Sequence, residues 1–156
     1  MIARGILRGG LAGGILGAAF SALSVIPICG FVALPLRLLA WAIGGYLGGR
    51  IAVEGGARNG GVAAGLGAGI IAGLIDGVAY AALAPVRFSL AGDTITSLHL
   101  LPNGVIIAFN GLGINLMTLD TMGGSIFFSV LLCGATWLMS GLLGALGGGI
   151  AQALSE

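Results

Sequence analysis

The chain has 156 residues, 58% of them hydrophobic and 7% charged, with six basic residues, all arginine, against five acidic ones and a formal net charge of +1. A soluble domain carries roughly 25% charged residues, so the composition excludes one and indicates an integral membrane protein, a single transmembrane domain over 1–156. The near balance of charge also excludes a basic surface for nucleic acid.

Glycine supplies 32 residues, and each would weaken a helix in water by about 1 kcal/mol relative to alanine. In lipid an unpaired backbone group costs several kcal/mol, which makes the helix nearly compulsory. The fold class read from this balance is all-α, a four-helix antiparallel transmembrane bundle with glycine-zipper seams.

The first spanning helix is predicted over about 9–28. Arg4 and Arg8 precede an apolar run that ends near Pro27, the outline of a secretory signal. However, Ile26-Pro27-Ile28 ahead of Cys29 lacks the small residue that lipoprotein cleavage needs. Small residues at Gly5, Gly9, Gly13, Gly17 and Ser21 also form a packing ridge that a discarded leader has no use for, so the segment is read as retained.

A second helix is predicted over about 30–51, with Pro35 in its first turn, where the missing donor costs least. Arg37, Trp41, Gly45 and Gly49 stack at four-residue intervals along it. Arg50, Glu54 and Arg58, with Gly55, Gly56, Asn59 and Gly60, then mark a short polar turn.

The third helix, about 61–84, has the most regular pattern. At 1.5 Å per residue, 24 residues cover ~36 Å against the ~30 Å of a hydrocarbon core. Gly61, Gly65, Gly69, Gly73 and Gly77 form one ridge, and beside it Ala64, Ala68 and Ala72 lead to Asp76 and Tyr80. Bulky residues such as Leu66, Ile70, Leu74 and Val78 take the rest of the surface. A smooth face of this kind lets another helix backbone approach closely where lipid offers no hydrophobic drive. Each four-residue step overshoots a full turn by ~40°, so five glycines are expected to sweep far enough to meet two neighbours.

The segment at about 88–122 differs in kind, carrying Asp93, His99 and Asp120 with turn signals at Pro102-Asn103-Gly104 and Asn110-Gly111. These divide three short branched runs, 95–101, 105–109 and 113–119, and predict an extramembrane β-meander. Its rival is a re-entrant or fifth spanning helix. A last helix is predicted over about 125–151, with Trp137, Gly141, Ala145 and Gly149 on one ridge and Ser140, Gly144 and Gly148 on the next; Glu156 then closes the chain without a soluble tail.

Arginines near helix ends place Arg4, Arg8, Arg50 and Arg58 on one side and Arg37 and Arg87 on the other. By the positive-inside rule both termini are cytoplasmic, and the expected location is a prokaryotic cytoplasmic (inner) membrane, crossed several times.

Few residues carry chemistry. Asp76 is the one carboxylate in mid-membrane, a position that marks either a proton or ion path or a structural ion pair, and Arg37 is its partner in the second reading. Two cysteines, Cys29 and Cys133, are too few for a disulfide framework, and one histidine cannot build a metal cluster with them. Gly67, Gly69 and Ala72 match a degenerate GxGxxA, but the nucleotide fingerprint needs a preceding strand. No HExxH, GxSxG or P-loop occurs, so neither catalysis nor a cofactor or metal is expected. The expectation is a structural or assembly subunit of a membrane protein complex, packing glycine faces against other transmembrane subunits or a second copy; the alternative is a small oligomeric channel or transporter using Arg37 and Asp76.

Overall fold

The computed structural model describes residues 2–26, 29–91, 107, 110–111 and 122–155. Among the described residues the helices with defined bounds are, in chain order, α1 (Ile2–Leu23), α2 (Gly30–Glu54), α3 (Gly61–Ala82), α4 (Ala84–Ala91) and α5 (Met122–Ala153). Among the described residues, four segments, Ile2–Leu23, Val32–Glu54, Gly61–Val86 and Cys133–Ala153, are long and apolar enough to cross a membrane. They pack into one bundle, which gives a multi-pass membrane protein. There is no strand among the described residues. The β-meander expected over 88–122, with His99, Asp93 and Asp120, lies outside them, except that Ile107, Asn110 and Gly111 have helical backbone.

Helix boundaries follow local chemistry. α1 begins at Ile2 and not near Gly9, because the small ridge starts at Gly5, whose face lies against Gly48 and Ala52 of α2. Arg4 and Arg8 remain exposed on its outer side, where long stems let charged heads reach a polar boundary. The helix ends near Ser24, whose hydroxyl donates to the Ser21 carbonyl at 2.6 Å. Pro35 lies six residues into α2 and not in its first turn. It removes a single i→i−4 bond there and stays on an exposed face.

α2 stops in a Schellman motif: Ala57 N–H donates to the Ala52 carbonyl at 3.0 Å and Gly56 N–H to the Val53 carbonyl at 2.9 Å. Gly56 takes φ +99°, a value open to glycine and strained for other residues. α3 gives way at Leu83, and Pro85 then falls in the first turn of α4, the place where its absent donor is harmless.

α2 and α3 cross at the centre, with α1 on one side and α5 on the other. Successive spans run antiparallel, as expected: Gly5 of α1 meets Ala52 of α2, while Gly13 meets Ala40. The lateral pairs α1/α3 and α2/α5 are instead parallel, since Gly10 meets Ala68 and Gly17 meets Asp76, and Gly45 meets Gly144 while Gly49 meets Gly148. Both ends of the chain and the α2–α3 turn therefore lie at one end of the bundle, where Ile2 approaches Gly60 and Gln152 approaches Gly61.

The interior is made of small residues. Apart from Trp41, the buried apolar side chains among the described residues are all alanines, Ala64, Ala68 and Ala72 among them. Leu66, Ile70, Leu74 and Val78 point outward and are 41–56% exposed. In water such a surface would drive aggregation; in a bilayer it is the lipid contact, and helix association rests on the closeness of the small-residue seams.

Candidate functional site

The site forms where three small ridges end in polar residues. On α3 the alanine ridge runs into Asp76, on α2 Arg37 lies one turn before Trp41, and on α1 Ser21 follows Gly17 by four residues. Asp76 and Ser21 are wholly buried and Arg37 is 8% exposed. Arg37 Nε donates to Asp76 Oδ2 at 2.9 Å, and Nη2 lies 2.8 Å from the same oxygen. Ser21 Oγ donates to Oδ1. Both carboxylate oxygens are thereby engaged, each from a different helix.

The guanidinium is further enclosed by rings one helical turn away on each partner helix. Its carbon lies 4.9 Å from the Tyr80 ring centre and 5.6 Å from that of Trp41, both within cation–π reach. Gly17 makes the approach possible: a Cβ there would stand 3.1 Å from Asp76 Cβ and Cγ and 3.3 Å from Trp41 Nε1. Arg37 is seven residues into α2 and Asp76 six from the end of α3, so at 1.5 Å per residue both lie ~10 Å from the end of the bundle opposite the chain termini. Their depths match, which a buried pair needs, because a lone charge in a low-dielectric interior costs several kcal/mol. Nη2 of Arg37, although close to Oδ2, and Nε1 of Trp41 are buried donors without an aligned acceptor among the described residues.

The predicted packing glycines all lie on seams within the chain. Gly9 and Gly13 face Gly44 and Gly48 or Ala40 of α2. Gly45 and Gly49 face Gly144 and Gly148 of α5, and Gly141 faces Ile70. Gly61, Gly65, Gly69, Gly73 and Gly77 meet α5 in order, at Gln152, Gly148, Gly144, Ser140 and Cys133. Gly61 also borders α2, since a Cβ at Gly49 would stand 3.1 Å from its carbonyl oxygen. A contact kept along the i, i+4 row, which is inclined by about 26° to the axis, means that α5 follows the drift of the row, and the alanine ridge is left for α1 and α2.

Sequence reasoning missed Gly10, Gly14, Gly44, Gly48 and Gly147 as packing residues, and the signal for them was the glycine doublet. Adjacent residues on a helix point ~100° apart, close to the angle between two lateral neighbours in a bundle. Gly9 and Gly13 face α2 while Gly10 and Gly14 face α3; Gly44 faces α1 while Gly45 faces α5; Gly147 faces α2 while Gly148 faces α3.

Trp41 is packing and Trp137 is exposed. Cys29 and Cys133 are half-buried free thiols. No group of three or more His, Cys, Asp or Glu side chains converges as a metal site among the described residues. Comparison with family models, with curated proteins and with solved structures gave no match to the chain.

Proposed function

We propose that the protein is a structural or assembly subunit of a membrane protein complex. The carrying observation is the closure of the Arg37–Asp76 pair: Ser21 and Arg37 occupy the carboxylate oxygens, and Tyr80 and Trp41 flank the guanidinium. Charges arranged this way fasten α1, α2 and α3 together. A conduit would instead hold a carboxylate open to a hydrated path. The glycine seams serve the chain's own bundle, so neighbouring subunits would meet the outward apolar faces.

Protein extracted from its native membrane in polymer-bounded discs should migrate as part of a particle larger than one 15.3 kDa chain with lipid, and protein reconstituted alone should pass no proton or ion current. A particle containing one chain only would remove the assembly reading.

A second reading, a small channel or transporter, draws on the unaligned donors Nη2 of Arg37 and Nε1 of Trp41 beside Asp76, which a water molecule or an anion would satisfy. A liposome current abolished by Asp76→Asn would favour it over the first.

A further inference from the structure

The outer surface between α2 and α5 has two adjoining depressions. One, about 350 Å³, is wholly apolar and runs along the helices between Leu39, Ile43 and Tyr46 on α2 and Leu143, Leu146 and Ile150 on α5. The other, about 360 Å³, lies nearer the end of the bundle that holds both chain termini and is bounded by Tyr46, Arg50, Glu54, Leu154 and Ser155. Tyr46 belongs to both, so they form one furrow with an apolar lower part and a polar head.

We propose that this furrow holds one zwitterionic aminophospholipid, with an acyl chain between α2 and α5, its phosphate on Arg50 and its ammonium on Glu54. The order of charges carries the inference. Tyr46, Arg50 and Glu54 follow at four-residue spacing, so each step moves ~6 Å along α2 away from the apolar groove. In an aminophospholipid the order is also acyl chain, phosphate, ammonium. A purely anionic headgroup would meet Arg50 but be repelled by Glu54. Arg50 and Glu54 contact one another at 2.7 Å, and their side chains are 58% and 62% exposed. Exposed pairs spaced i, i+4 are weak, so each partner can turn to the headgroup. A packed helix of a second copy would bury both charges against apolar residues, whereas a lipid headgroup keeps them at the membrane boundary, where basic pockets between helices take lipid heads.

Native mass spectrometry of delipidated protein, titrated in detergent with phosphatidylethanolamine or phosphatidylglycerol of matched chains, tests this. The unsubstituted protein should take up one phosphatidylethanolamine in preference to phosphatidylglycerol. Arg50→Gln should weaken uptake of both lipids by roughly tenfold, the loss of a charge-assisted contact. Glu54→Gln should abolish or reverse the preference while leaving uptake, and Ile43→Trp, which fills the groove, should weaken both. All three positions are exposed, and unchanged circular dichroism melting checks that each variant folds. Uptake of several lipids without preference and indifferent to Arg50→Gln and Glu54→Gln, which is annular lipid only, would overturn the proposal. So would preferred uptake of phosphatidylglycerol, or a dimer mass in place of a lipid adduct.

Discussion

Ser21 donates its hydroxyl proton to the Asp76 oxygen that Arg37 leaves free. The bond ties α1 to a charge pair that α2 and α3 already share, so three of the four spanning helices meet at one carboxylate. Ser21 is also the last member of the ridge that begins at Gly5, and the packing seam thus ends in a polar lock.

Ser21→Ala should therefore destabilise the protein by about 1–3 kcal/mol, the cost of leaving a buried charged acceptor short of a donor. Equilibrium unfolding in mixed micelles of dodecyl maltoside and sodium dodecyl sulfate measures it. A variant that unfolds with the unsubstituted protein would show that the lock contributes nothing.

Removing either member of the ion pair should cost more. Arg37→Met or Asp76→Leu strands a charge and should lose about 3–5 kcal/mol, whereas the double variant replaces the pair with apolar groups and should recover at least half of the summed loss, since buried pairs exchanged for well-packed apolar residues are often neutral. The same unfolding assay completes the double-mutant cycle. Strictly additive losses would mean that the two groups do not interact energetically.

The doublets should be sensitive on both of their faces. A Cβ at Gly9 would stand 2.6 Å from Gly48 N, and one at Gly10 would stand 2.7 Å from Ile71 Cβ, so neither neighbour can swing aside as the tip of a flexible chain would. Gly9→Ala and Gly10→Ala should each cost about 1–3 kcal/mol as overpacking. At Gly149 the nearest atom is Val62 Cγ2 at 3.6 Å, an ordinary contact, and Gly149→Ala should change stability by less than about 0.5 kcal/mol. Indistinguishable melting of the three variants would refute a close-packed double seam on α1.

Four helices, their order and the closeness of Arg37 to Asp76 were legible in the sequence because each depends on local periodicity. Apolar length gives the spans, and a charge in line with a small ridge points where the ridge points. Lateral neighbours were less legible. The parallel α1/α3 and α2/α5 seams depend on which face of each helix meets which partner, and a four-residue repeat alone does not say that. The doublets did carry the information, since Gly9 and Gly10 cannot share a face. Ser21 was visible as a ridge member, but its role depends on the register that brings Gly17 opposite Asp76, a tertiary fact. Pro35 was misplaced because its cost was weighed from a terminal preference, although an exposed site six residues in also loses one bond only.

Topology gives the last prediction. The closeness of Ile2 to Gly60 and of Gln152 to Gly61 places both ends of the chain and the α2–α3 turn on one side, while the residues just beyond α1 lie on the other. With Cys29→Ser and Cys133→Ala as background, single cysteines at Asn59, Ser155 and Ile26, all exposed, should divide two against one when an impermeant maleimide is applied to sealed vesicles. Arg4, Arg8, Arg50 and Arg58 gather at the end that holds Asn59 and Ser155, and the positive-inside rule assigns that end to the cytoplasm. On right-side-out vesicles Ile26→Cys should react at once, and the other two only after the membrane is permeabilised. The reverse pattern would invert the orientation while preserving the four spans. Asn59→Cys and Ser155→Cys labelling from opposite sides would require an odd number of crossings between them, and the membrane assignment of α3 or α5 would then fail.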